Sequence, residues 1–116
     1  MQYVLQIFSN GGNGGDAYAA LSEAEKEAVM GEYMAISQAQ GITGGAQLQP
    51  PETATTVRVE GGSTLTTDGP FTETKEALGG YFLFEADDLD AAIDIASRIP
   101  AARLGGAIEV RPLVQR

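Results

Sequence analysis

Asp68-Gly69-Pro70-Phe71-Thr72-Glu73-Thr74-Lys75-Glu76-Ala77-Leu78-Gly79-Gly80-Tyr81, running straight into Phe82-Leu83-Phe84, is the stretch from which the fold is read. It opens on a turn for mechanical reasons. Gly69 tolerates positive φ, Pro70 fixes its own φ, and a residue before proline is pushed out of the α region. Glu73, Lys75 and Glu76 follow in a segment too polar for a core, read as a short helical turn. Gly79-Gly80 lets the backbone turn or approach a neighbour closely. Tyr81 to Phe84 is then apolar at every position. A strand in a sheet covered on one side only alternates apolar with polar residues, so this one asks for cover on both faces.

Upstream, Thr53 to Glu60 is rich in β-branched residues, Gly61-Gly62 is a two-glycine hairpin signal, and Ser63 to Asp68 returns as the partner strand. Asp68 falls at that strand's end, on its polar face. Gly44 to Gln49 reads as a short strand, broken by Pro50-Pro51. At the start, Gln2 to Phe8 alternates, with Tyr3, Leu5 and Ile7 on one face and Gln2, Val4, Gln6 and Phe8 on the other. The glycine-rich run Asn10 to Asp16 lacks the Lys-Ser/Thr ending of a phosphate-binding P-loop and the Rossmann spacing, and is read as a surface loop.

Ser22-Glu23-Ala24-Glu25 is a capping box opening a helix that stops near Gly41. Val29, Tyr33 and Ile36, widened by Met30 and Met34, form its core face. Gly31 inside it costs about 1 kcal/mol relative to alanine, which points to something packed closely against it. Downstream, Asp87-Asp88-Leu89-Asp90 opens a second helix, with Leu89, Ala92, Ile93, Ala96 and Ile99 as the buried stripe and Pro100 as its end. Ala107 to Leu113 alternates as a last strand.

This order predicts an α+β sandwich in one domain, residues 1–116: an antiparallel sheet with two helices on one face. The opposite face is then bare, yet it carries Val4, Phe8 and half of Tyr81 to Phe84, with Arg58, Asp68, Glu109 and Arg111 on neighbouring strands. Such a face is a partner surface, and a homodimer is expected.

The formal charge of −9, from 16 acidic and 7 basic residues, excludes a nucleic-acid surface and disfavours an anionic membrane. Without cysteine or histidine, thiolate chemistry and the commonest general base and metal ligand are absent. Neither a metal nor a redox cofactor is implied, since Asp87-Asp88-x-Asp90 suits a helix start rather than a calcium loop. Met1 leads directly into a strand without a basic n-region, so a cytoplasmic protein is expected.

The run DGPFTETKEALGGY resembles the signature of DGPF proteins, a branch of the YCII-related family. The likeness extends to Met1–Phe8, Leu48–Pro51, Thr53–Arg58, Ile99–Arg103 and Glu109–Pro112. It implies a ferredoxin-like domain paired as a dimeric α/β-barrel. It also implies a link to extracytoplasmic-function sigma factors, near which such proteins are often encoded. Enzymatic proposals for YCII-type proteins lean on a histidine working with an aspartate. Relatives often carry that histidine where Leu104 stands, and this chain has none.

Asp68 is the candidate acid/base: a strand-end carboxylate partly covered by a turn and a partner chain can have a raised pKa, although Asp before Gly-Pro also simply caps a turn. Lys75 either holds an anionic substrate beside it or belongs to a solvated face. Arg58 and Arg111 either grip an anion bidentately or pair with Glu60 or Glu109. Arg103 is placed at a pocket rim by the resemblance, and Tyr81 or Tyr3 can offer a hydroxyl. Two functions follow. One is binding or transformation of a small molecule, an anion among the candidates, in a dimer-interface pocket; the other is a non-catalytic module that touches a sigma factor.

Overall fold

Tyr3 stands opposite Phe84, Leu5 opposite Phe82 and Ile7 opposite Gly80, in the antiparallel pair at the centre of the molecule. These strands are β1 (Gln2–Asn10) and β5 (Glu76–Glu85). The computed structural model describes residues 1–10, 15–71 and 75–115. Between β1 and β5 the chain forms α1 (Gly15–Ala19), α2 (Glu23–Ser37), β2 (Ile42–Gln47), β3 (Thr55–Glu60) and β4 (Ser63–Asp68); after β5 come α3 (Leu89–Ser97) and β6 (Ala107–Pro112). The sheet order is β2-β5-β1-β6, antiparallel throughout, while β3 and β4 form a separate ribbon. The chain is therefore an α+β fold with an antiparallel sheet and three described helices, compatible with a ferredoxin-like arrangement.

The core lies between one sheet face and the helices. Tyr3, Leu5 and Phe84 from the sheet meet Ile36 of α2 and Ala92, Ile95 and Ala96 of α3, with Ile99 behind them. Residues in direct antiparallel register share a face, and successive residues alternate. Val4, Gln6, Tyr81, Leu83, Glu109 and Arg111 therefore share the other face, which no helix covers. The uniformly apolar run Tyr81–Phe84 divides accordingly: Phe82 and Phe84 pack inward, and Tyr81 and Leu83 lie half-buried on the bare side.

The capping box is formed as its residues require. The Glu25 amide donates to Ser22 Oγ at 3.1 Å, and the Ser22 amide donates back to Glu25 Oε1 at 2.9 Å. The donations from the Ser22 amide and then its hydroxyl hold the Glu25 carboxyl below its usual range. Asp88 caps α3 by accepting from the Ala91 amide at 2.9 Å.

Several expectations are corrected. Glu76 belongs to β5 rather than to a helical turn, because its backbone pairs with Asn10; Lys75 lies in a bend, and Glu73 is outside the described residues. An extra short helix, α1, precedes Ser22. On α3, Leu89 and Ile93 are about half exposed while Ile95 is buried: the face toward the sheet is set by Ala92, Ile95, Ala96 and Ile99. Gly31 has open space where a side chain would stand, so no neighbour explains it. Met30 and Met34 are 52% and 58% exposed rather than core.

The β3–β4 ribbon stands off the body, with Val57, Val59 and Leu65 exposed. The Cα radius of gyration, 15.9 Å, reflects this; a compact domain of this length has about 13 Å.

Two substitutions on α2 test its local energetics. Ser22→Ala is expected to cost about 1 kcal/mol through the lost cap, and Gly31→Ala to add up to about 1 kcal/mol. Urea denaturation midpoints check both, and a destabilised Gly31→Ala would show that some partner does approach that glycine.

Candidate functional site

A cleft of about 320 Å³ opens between α2 and the sheet. Its roof is the α2 face bearing Val29, Met30, Tyr33, Met34 and Ser37, positions one, four, five and eight residues beyond the first and so on one side of a helix. The floor is hollow because the sheet is thin there. Ser9 of β1, Gly79 and Gly80 of β5 and Gly45 of β2 put little or no side chain beneath α2. Neither Gly45 nor Gly80 accepts a larger residue: an added Cβ would lie 2.5 Å from the Tyr81 carbonyl oxygen at Gly45, and 2.8 Å from the Ala46 carbonyl oxygen at Gly80. The β1–β5 register slips between Ile7 and Phe8, leaving Gly79 as a bulge. Ala101 and Leu104 close one side, and Tyr18 of α1 reaches in from another.

Ser9 is the notable floor residue. It is 3% exposed, the one buried polar residue among those described, and its hydroxyl, which forms no hydrogen bond among the described residues, opens onto the cleft, since no fully buried side-chain oxygen or nitrogen among them lacks a partner. Tyr33, on the cleft's roof, has a perturbed phenol. Burial pushes its phenol above the ordinary range, and the Ala101 backbone and the Arg103 guanidinium pull it only partly back. Neutral Tyr33 is thus favoured as a donor at the cleft.

None of the residues singled out from the sequence as acid/base or anion clamp lines this cleft. Asp68 is exposed at the end of β4, opposite Thr55, and its carboxylate makes no hydrogen bond or ion pair among the described residues. Arg58 lies over the Phe71 ring, 4.5 Å from its centroid, instead of pairing with Glu60. Arg111 pairs with Glu109 on the bare sheet face, and Arg103 pairs with Glu32 at 2.6 Å. Lys75 is exposed. Tyr81 borders the cleft, yet its register places the side chain on the bare face with Arg111. Tyr3 is buried, its hydroxyl 3.7 Å from the Met1 sulfur. Within one chain these residues are divided among the ribbon, the bare face and the α2 rim.

A broader groove lies at the base of the ribbon, between Phe8 and Leu78 of the sheet and Thr55, Pro70 and Phe71. It contains part of the Asp68–Tyr81 signature but not Asp68 itself. In the turn, the Gly69 amide donates to the Ala54 carbonyl at 2.7 Å, and Thr56 Oγ1 donates to the Gly69 carbonyl at 2.8 Å. Gly69 has φ of 98°, which only glycine adopts without strain. The Asp-Gly-Pro turn thus fastens the ribbon's two strands.

The sequence signal for the cleft was present but ambiguous. Met30, Tyr33 and Met34 read as core because helical periodicity marks a face as apolar without saying how closely the sheet approaches it.

Because Tyr33 holds its proton more tightly when folded, the unfolded chain releases it first as pH rises. Tyr33's contribution to stability is therefore full below about pH 10 and declines above it. Tyr33→Phe is expected to flatten the alkaline limb of the Tm–pH profile above about pH 10, as scanning calorimetry would show.

Among the described residues no helix is long and apolar enough to cross a membrane. An uncharacterised protein of Rhizobium meliloti (strain 1021) is 39% identical over 100 residues, covering 82% of this chain and 81% of that protein. The YCII-related domain model matches residues 13–115, which takes in the cleft's α2 roof, its β2 and β5 floor and the whole signature. The chain therefore belongs to the YCII-related family.

Proposed function

We propose that this chain binds a small molecule in the cleft beneath α2 and acts as a homodimer closed through the bare sheet face. The observation that carries the binding reading is the cleft itself. A volume of about 320 Å³ lies within the range of small-molecule sites, roughly 300–1,000 Å³. Its walls are largely apolar, and the Ser9 hydroxyl, without a hydrogen-bond partner among the described residues, opens onto its floor. A hydroxyl that opens into a cavity with no protein partner is a place for a ligand or a water.

The homodimer reading rests on Val4, Phe8, Tyr81 and Leu83, apolar or aromatic side chains on strands whose other side is already covered. A second copy laid on that face would form the two-sheet barrel that the DGPF-type resemblance implies. Asp68, Arg58 and Arg111 then have a chemical part only if the partner closes over them, since one chain leaves Asp68 in water. An acid/base role for Asp68, with arginines as anion clamps, is thereby tied to dimer formation. No observation on this chain favours sigma-factor contact over ligand binding.

Met34→Trp, at an exposed rim position, is expected to fill the cleft's mouth without unfolding the protein. A compound that binds the native cleft at a hundred times its Kd stabilises by about 2.7 kcal/mol. That is a Tm rise of about ten degrees, and the variant should lose it. Equal shifts in both proteins would move the site elsewhere. Leu83→Lys is expected to shift sedimentation equilibrium from dimer to monomer; a wild-type mass of one chain at micromolar concentration would remove the dimer.

A further inference from the structure

We infer that the cleft's ligand is uncharged: a molecule with an apolar body and a hydrogen-bonding group that meets the Ser9 hydroxyl. This deepens the binding reading and rests on it. Among the described residues, no side chain lining the cleft carries a formal charge. Its polar contributors are Ser9, Tyr18, Tyr33, Ser37 and Gln47, all neutral.

Among the described residues the basic side chains are engaged or distant. Lys26 lies 5.7 Å from the Tyr18 ring centroid and 3.9 Å from Glu23. Arg103, beyond Tyr33, is held by Glu32 at 2.6 Å. Arg98 is paired with Asp94 at 3.1 Å, Arg111 with Glu109, and Arg58 lies on Phe71. Lys75 is exposed in the bend before β5 and does not line the cleft. An anion entering the cleft would lose its hydration and gain no cationic partner, in a chain of net charge −9.

A cation is attracted to the chain as a whole, but no carboxylate among the described residues lines the cleft to receive it. The burial that keeps Tyr33 protonated penalises any other buried charge in the same way. A neutral hydroxyl, carbonyl or amide loses little, because the Ser9 hydroxyl both donates and accepts. Met30 and Met34, flexible and polarizable at the rim, fit apolar bodies of varied outline.

Three probes of one shape separate the possibilities: 2-naphthol, 2-naphthoate and 2-naphthylmethylammonium, titrated into the full chain at neutral pH by calorimetry. 2-Naphthol is expected to bind at least ten-fold more tightly than either ion. Ser9→Ala should weaken it several-fold, and Met34→Trp should abolish it. Naphthoate or the ammonium binding as tightly as naphthol, in a manner lost in Met34→Trp, would overturn the uncharged class while leaving the cleft as the site. Naphthol binding that is unchanged in Met34→Trp, or absent in the wild-type chain, would overturn the cleft reading and this inference with it. Unchanged naphthol affinity in Ser9→Ala would remove Ser9 as the contact and overturn the inference in the form given.

Discussion

The pairing of β1 with β5 is the constraint on which the remaining structure depends. With Tyr3 set against Phe84 and Leu5 against Phe82, four large side chains come to one face at the centre of the sheet. Both helices bury their small and β-branched positions against that row. A slip of one residue would turn the row to the other side and leave α2 and α3 nothing to cover. The slip that does occur is confined beyond Ile7, where Gly79 is accommodated as a bulge. At that point the row of large residues ends and the cleft begins.

The same strands therefore supply both a core and a hollow. Where β5 presents Phe84 and Phe82, α2 is held through Ile36; where it presents Gly80, β5 itself adds no side chain to the floor. The glycines cannot be filled, because the neighbouring strand's carbonyl groups already stand where a Cβ would go. Close packing of backbone within the sheet thus leaves space above it. Met30, Met34 and Tyr33 border that space instead of sealing it.

The signature segment has a different physical place. Its Asp-Gly-Pro turn holds the ends of a ribbon that touches little else, and its second half is the entry to β5. Stabilising a two-stranded ribbon with no core of its own is difficult in water, and Val57, Val59, Leu65 and Phe71 remain exposed on or beside it. The segment that carries the family resemblance consequently lies in the part of the chain least covered by its own residues. In one chain Asp68 is the exposed last residue of β4.

Much of this was legible in residue order. Alternation in Gln2–Phe8, the capping box at Ser22, the Gly61-Gly62 hairpin and the acidic start of α3 are local rules, satisfied within a few residues of themselves, and each forms where expected. The doubly apolar Tyr81–Phe84 was likewise enough to announce a sheet with a second, uncovered apolar face. What the sequence could not determine depends on distance across the fold. Ile95 replaced Leu89 and Ile93 in the core because the angle at which α3 meets the sheet, not its periodicity, selects the buried stripe. The cleft exists only because residues as far apart as Ser9, Tyr33 and Gly80 are stacked by tertiary contacts, with glycine beneath methionine. Local chemistry is written along the chain; an empty volume has no residue of its own and arises only when separate segments stop short of touching.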